Sequence, residues 1–134
     1  MSFTVNKRIQ RFKDLNLAFT RHPVTADVTV KTDAEAIKFA IRNLLLTKKY
    51  EVPFHPEIGS SLVGQLFENY TVAMKNIVTQ EIKNVVLNYE PRAEVLDVLY
   101  EGVPYENRLN VVVIFRIVNI SEPITLNILL ERTR

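Results

Sequence analysis

The sequence predicts an α+β domain, with two main helices and a short one packed on a three-stranded antiparallel C-terminal meander. Three observations predict it. Met74, Ile77, Val78, Ile82, Val85, Val86 and Tyr89 recur at helical spacing, which implies one buried helix face over residues 72–89. Beyond Arg92 the apolar period falls to two, the signature of strands. Pro91 stands at the changeover, where it has no N–H to give and its ring drives Glu90 out of the helical region.

Residues 1–31 read as a peripheral N-terminal arm, and residues 32–134 as a single α+β domain. In the arm, Lys7, Arg8, Arg11 and Lys13 alternate with Ile9 and Phe12. A solvated basic terminus is the plain account of that pattern, and contact with an acidic surface the sharper one. Asp14–Phe19 alternates like a short strand, Arg21-His22-Pro23 breaks it, and Val28-Thr29-Val30 is strand-like but short. A first helix starts near Asp33, with Thr32 and Glu35 at capping-box spacing or Asp33 itself as the cap. Its predicted stripe is Ala34, Ile37, Ile41, Leu44 and Leu45, and Lys48 and Lys49 suit its negative end. The loop Pro53-Phe54-His55-Pro56-Glu57-Ile58-Gly59 is stiffened by two prolines and turned by a glycine. Ser60 or Ser61 can cap a short helix through Leu62, Leu66 and Phe67, and Thr71 can cap the long one.

After the proline break, Leu96, Val98 and Tyr100 are expected on one strand face with Asp97 on the other. Residues 101–107 form a hairpin loop by composition. Leu109, Val111, Val113, Phe115 and Ile117 make an unbroken apolar face. Val112, Ile114 and Val118 on the reverse face suggest a central strand covered on much of both sides. Ser121-Glu122-Pro123 turns the chain into a last alternating strand, residues 124–131.

With 134 residues the chain suits one domain with a hydrophobic core, and 47% hydrophobic and 24% charged residues suit a globular protein. A net charge of +2 does not by itself imply nucleic acid, and neither a nucleic-acid nor a membrane partner is expected. The longest apolar run, Val111–Phe115, is far short of a membrane span, so a soluble protein made in a cytoplasm is expected. Without cysteine there is neither a disulfide nor a thiolate ligand or nucleophile.

Composition names no reaction. Glu57, Glu68 and Glu81 are carboxylates without a spacing that pairs them across a cleft, as glycoside hydrolysis requires. Glu68, at a helix end after Leu66-Phe67, is the one that desolvation would raise. His22 and His55 each sit beside a proline with no cluster of ligands, so structural or surface roles suit them better than a metal. No phosphate-cradling loop can be built from three glycines so placed, and neither cofactor, metal nor catalytic residue is assigned.

Interaction is what remains. The plain account of Glu90 and Arg92 is a helix stop whose charges are solvated or paired with each other. Because Glu90 falls where the helix dipole is negative, Arg92 is the expected compensating cation. The last strand, Ile124, Thr125, Leu126, Asn127, Ile128, Leu129, Leu130 and Glu131, has no charge or proline before Glu131. As a terminal strand it is either an edge open to a strand from another chain or an edge covered by the N-terminal arm.

Pro53-Phe54-His55-Pro56-Glu57-Ile58-Gly59, Gln65-Leu66-Phe67-Glu68-Asn69 and Asn88-Tyr89-Glu90-Pro91-Arg92, in that order, resemble the successive signatures of the baseplate wedge/sheath-initiator family of contractile bacteriophage tails. That family has relatives in type VI secretion baseplates. The resemblance runs from about residue 33 to the end. It implies a non-enzymatic structural subunit of the virion tail baseplate, assembled in the host cytoplasm. It further implies that Glu90, Pro91 and Arg92 dock on the wedge core-bundle proteins, and that residues 124–131 pair with an arm of the tail sheath protein to template the first sheath ring. Tube or hub proteins are further candidate partners. The alternative is a lysozyme-like tail enzyme that degrades peptidoglycan, a label the family has carried.

Overall fold

The computed structural model describes residues 12–16, 18–21, 23–27, 30–67, 71–103, 108–118 and 120–131. The chain divides into two compact units, Met1–Ala36 and Ile37–Arg134. Lys7, Arg8, Ile9, Arg11 and His22 of the arm lie outside the described residues, as do Glu68, Asn69, Tyr70 and Arg132.

In the first unit, strand β1 (Lys13–Leu15) pairs antiparallel with β2 (Val30–Thr32), Lys13 opposite Thr32 and Leu15 opposite Val30. The strand expected over Asp14–Phe19 is shorter because Asn16 ends it. Its Oδ1 accepts the Ala18 N–H at 3.1 Å and its carbonyl accepts the Phe19 N–H at 2.9 Å, a local turn that competes with the ladder. Asp33 adopts a positive φ of 48° and closes the hairpin on Phe12. Its N–H donates to the Phe12 carbonyl and its Oδ1 accepts the Phe12 N–H.

Helix α1 (Asp33–Leu46) spans the division between the units. Ala36, Ile37, Ile41 and Leu45 are fully buried, while Ala34 and Leu44 on the flanks are half-buried. Lys48 and Lys49 fall beyond the helix, which stops at Leu46 with no cation in its last turn. Its orphaned carbonyls are met otherwise. Thr47 Oγ1 donates to the Asn43 carbonyl, buried Ser60 Oγ to the Leu45 carbonyl, and the Ser60 N–H to the Thr47 carbonyl. Ser60 can reach there only because Gly59 lets the chain pass close. At φ +128° it occupies left-handed space, and a Cβ on it would lie 2.7 Å from the Thr47 oxygen.

A four-residue 3-10 turn, Gly64–Phe67, stands where the short helix was expected. Helix α2 (Val72–Tyr89) is capped by Thr71 Oγ1, which accepts the Met74 N–H at 3.2 Å. Val78, Ile82, Val85 and Val86 are buried. Met74 is half-buried, and Ile77 and Tyr89, expected inside, are exposed. The stripe centres on Val78, Ile82 and Val86, spaced by four, and a turn of 100° per residue carries Ile77 off it.

Strands β3 (Ala93–Val103), β4 (Arg108–Ile117) and β5 (Pro123–Glu131) form an antiparallel sheet in that order, with α2 packed against β3. A β-bulge between Val95 and Asp97 corrects the expected face of β3. Leu96 is the extra residue and is 43% exposed, so Ala93 and Val95 face inward before it, and Val98 and Tyr100 after it. On β4, Leu109, Val111, Val113, Phe115 and Ile117 are buried as expected, and β4 is the central strand. Its reverse face is covered less than expected, with Val112 and Ile114 half-buried and Val118 exposed.

Gly59→Ala is expected to cost about 1–3 kcal/mol through its strained φ and the clash with Thr47, whereas Gly64→Ala, with open space around it, is expected to be near neutral. Urea denaturation of both variants checks the contrast.

Candidate functional site

The residues singled out in the sequence fall on two features of the second unit: the corner after α2 and the border of the sheet. The corner is built by the helix ending. Glu90 still donates its N–H to the Val86 carbonyl at 2.8 Å, but its backbone has left the helix at φ −130° and ψ 75°. The Ala93 N–H closes the turn on the Glu90 carbonyl at 3.1 Å, and the Val118 N–H reaches the Arg92 carbonyl at 2.9 Å. Backbone on both sides of Pro91 is therefore fixed by ladder and turn bonds.

Between them the side chains form a fork. Arg92 Nε donates to Glu90 Oε1 at 2.6 Å and an Nη donates to Glu90 Oε2 at 2.8 Å. The Glu90 side chain is 7% exposed and that of Arg92 25%. The bidentate pair gives hydrogen bonds and a countercharge to a carboxylate that lies at the negative end of a helix and out of water. Of the three corner residues, Pro91 is exposed, Arg92 partly so, and Glu90 is interior. Glu90 thus acts on the surface through Arg92, whose plane it sets.

On β5, Leu126, Ile128 and Leu130 are buried, Ile124 is half-buried, and Thr125, Asn127, Leu129 and Glu131 are exposed. The direction of its backbone groups follows from the register. Val98 lies opposite Val113, yet its N–H turns away from β4 to Asp97 Oδ1 at 2.8 Å. Adjacent residues of an antiparallel strand bond to opposite neighbours, so Val113 bonds toward β5 and Leu126, and every second residue of β4 does likewise. The Val118–Arg92 bond gives the same parity from the other end. Ile124, Leu126, Ile128 and Leu130 therefore face β4, and the N–H and C=O groups of Thr125, Asn127 and Leu129 point out along the border. Among the described residues no strand pairs there.

The opposite border differs. The bulge disrupts β3, its Val98 N–H is occupied by the Asp97 carboxylate, and Glu94, Asp97 and Glu101 charge it. This capture of the Val98 N–H by Asp97 is not foreseen from the sequence, where a lone carboxylate between Leu96 and Val98 is the visible signal. Ion pairs Arg116–Glu94 and Arg108–Glu131 span neighbouring strands at exposed positions, where they add little stability.

Of the three carboxylates considered for catalysis, Glu68 lies outside the described residues and the other two have other partners. Glu81 accepts the Ser61 N–H at 2.7 Å and the Ser61 hydroxyl, and pairs with Lys49 at 3.5 Å. Glu57 is exposed, and its own backbone N–H, then the His55 hydrogen bond at 3.2 Å, hold its carboxyl below the usual range. A general acid needs the reverse shift. Among the described residues no group of three or more potential ligands could hold a metal.

Known proteins resemble this chain in sequence and in fold. Residues 31–121 match the family of baseplate wedge protein gp25. The baseplate wedge protein gp25 of Enterobacteria phage T4 is 39% identical over 72 residues, 54% of this chain and 54% of that protein, so the match spans about half the length of that relative. The fold is shared with a Geobacter sulfurreducens protein provisionally named a tail lysozyme (TM-score 0.68, 23% identity, 79% of this chain and 97% of that one). It is also shared with a chain of the anti-feeding prophage baseplate (TM-score 0.63, 20% identity, 88% of this chain and 83% of that one).

Arg92→Ala is expected to cost about 3–5 kcal/mol by stranding the Glu90 carboxylate, and adding Glu90→Gln is expected to return part of that loss. A double-mutant cycle read by urea denaturation measures the coupling.

Proposed function

We propose, since the chain belongs to the baseplate wedge protein gp25 family, that it is a non-enzymatic structural subunit of a contractile-tail baseplate, located in the virion tail and assembled in the host cytoplasm. It joins the wedge core bundle at one site and templates the first ring of tail sheath at another. The observation that carries the second role is the border of β5, where among the described residues no strand pairs with the backbone groups of Thr125, Asn127 and Leu129, while β3 is blunted. A strand arriving at this sheet has one hospitable side. For the first role, the corner supplies a proline and a partly exposed guanidinium on a backbone held by hydrogen bonds on both sides of Pro91.

Magnitudes suit a ring better than a single contact. Each added backbone bond nets about 1 kcal/mol, so one subunit holds a sheath arm weakly. Several subunits around a tail hold the first ring together through multivalency.

Asn127→Pro tests the templating role. Its N–H points outward, so proline removes the middle donor of the border while leaving the bonds to β4 in place. The variant is expected to fold with an unchanged far-ultraviolet circular dichroism spectrum and to yield baseplates without sheath in electron micrographs. Sheath of normal length on those particles would refute the role.

The alternative, a peptidoglycan-degrading enzyme, draws on the Geobacter sulfurreducens protein of similar fold. Purified chain added to a peptidoglycan suspension is expected to leave its turbidity unchanged. Sustained clearing that is lost on Glu68→Gln would establish the enzyme instead.

A further inference from the structure

Helix α2 carries a feature that neither assembly site uses. Asn76, Gln80, Asn84 and Asn88 follow one another at intervals of four along its exposed side. All four line a groove of about 610 Å3, together with Ile77, Tyr89 and, from the preceding loop, Lys49, Glu57 and Gly59. Across the groove's wall the Tyr89 hydroxyl donates to the Glu57 carbonyl at 3.0 Å. Among the described residues none of the four carboxamides has a hydrogen-bond partner. Each carries a donor and an acceptor, the same pair that a peptide group carries.

We infer that this groove binds an extended polypeptide segment of a partner, its backbone read by the row of carboxamides. The spacing supports an extended occupant. Four helical residues rise about 6.0 Å, and two residues of extended chain about 6.6–6.8 Å, so successive carboxamides meet every second peptide group. Along the axis the mismatch over the whole row is about 2 Å, and because the row also turns about 40° around the helix at each step, the segment crosses α2 obliquely and meets the central pair, Gln80 and Asn84, most squarely. A partner helix, about 10–12 Å across, would ride on the rim and turn its own backbone groups inward, away from the row.

Charge selects the occupant further. Lys49 is engaged with Glu81 at 3.5 Å, and the row itself is neutral. Glu57 remains the outlying charge at the Tyr89 end, more than half exposed and kept ionised by its backbone bond and by His55. The segment that fits is therefore extended, has small or polar side chains over the row, and places a lysine or arginine beside Glu57. Ile77 receives an apolar side chain farther along the groove.

The inference is independent of any role in tail assembly, and so is its test. The full chain, labelled for NMR, is titrated with an acetylated peptide of one lysine followed by alternating threonine and alanine, at millimolar concentration. Saturable shifts of the Gln80 and Asn84 side-chain amide signals are expected. N-methylation of alternate residues of the peptide is expected to weaken binding about tenfold or more, as is the double substitution Gln80→Leu/Asn84→Leu. Signals that stay put, or equal binding of the N-methylated peptide to the unmodified chain, would overturn the inference. The N-methyl comparison needs no variant, so it decides the matter even if the double substitution perturbs folding.

Discussion

Glu90 occupies a position that a carboxylate ordinarily avoids, interior and at the negative end of a helix. Arg92 makes that position tenable through two parallel hydrogen bonds. The pair does more than cancel charge. Its two residues flank Pro91, so the fork and the ring together decide the direction in which α2 becomes β3. Because β3 then sets the register of β4, and β4 that of β5, the orientation of the sheet border depends on the same corner. A buried ion pair is weak evidence for stability in general, and here its two hydrogen bonds span the proline turn.

The two borders of one sheet are treated in opposite ways. On β3 a bulge, a row of carboxylates and the capture of the Val98 N–H by Asp97 leave little for an incoming strand. On β5 the run from Ile124 to Leu130 keeps its alternation, with buried aliphatic side chains holding it to the core and backbone groups directed outward. Open borders are hazards in monomeric proteins, and among the described residues one border of this sheet is blunted while the other keeps its backbone groups directed outward.

The segment between the helices is more than a connection. Ser60 and Gly59 finish α1, Ser61 reaches Glu81 on α2, and the Tyr89 hydroxyl ties the loop to the end of α2. Its proline-rich sequence holds a shape that brings two helices into fixed relation and walls the groove along α2. Tyr50 and Phe54 keep positive φ angles within it while their rings stand in water, a conformation the surrounding bonds impose.

What residue order alone determined is what depends on near neighbours: the helical period of residues 72–89, the break at Pro91, the alternation of β4 and β5, and thus the α+β class. The pairing of Glu90 with Arg92 was legible too, since two residues of separation and a helix dipole suffice to argue it. Tertiary structure decided the rest. Leu96 faces outward because a bulge, which is a property of two strands, shifts the count by one. Ile77 and Tyr89 are exposed because the width of the buried stripe is set by what packs on the helix, and periodicity does not report that width. The outward direction of the Asn127 N–H required the register of all three strands, because the parity of one strand has no meaning until another is laid beside it.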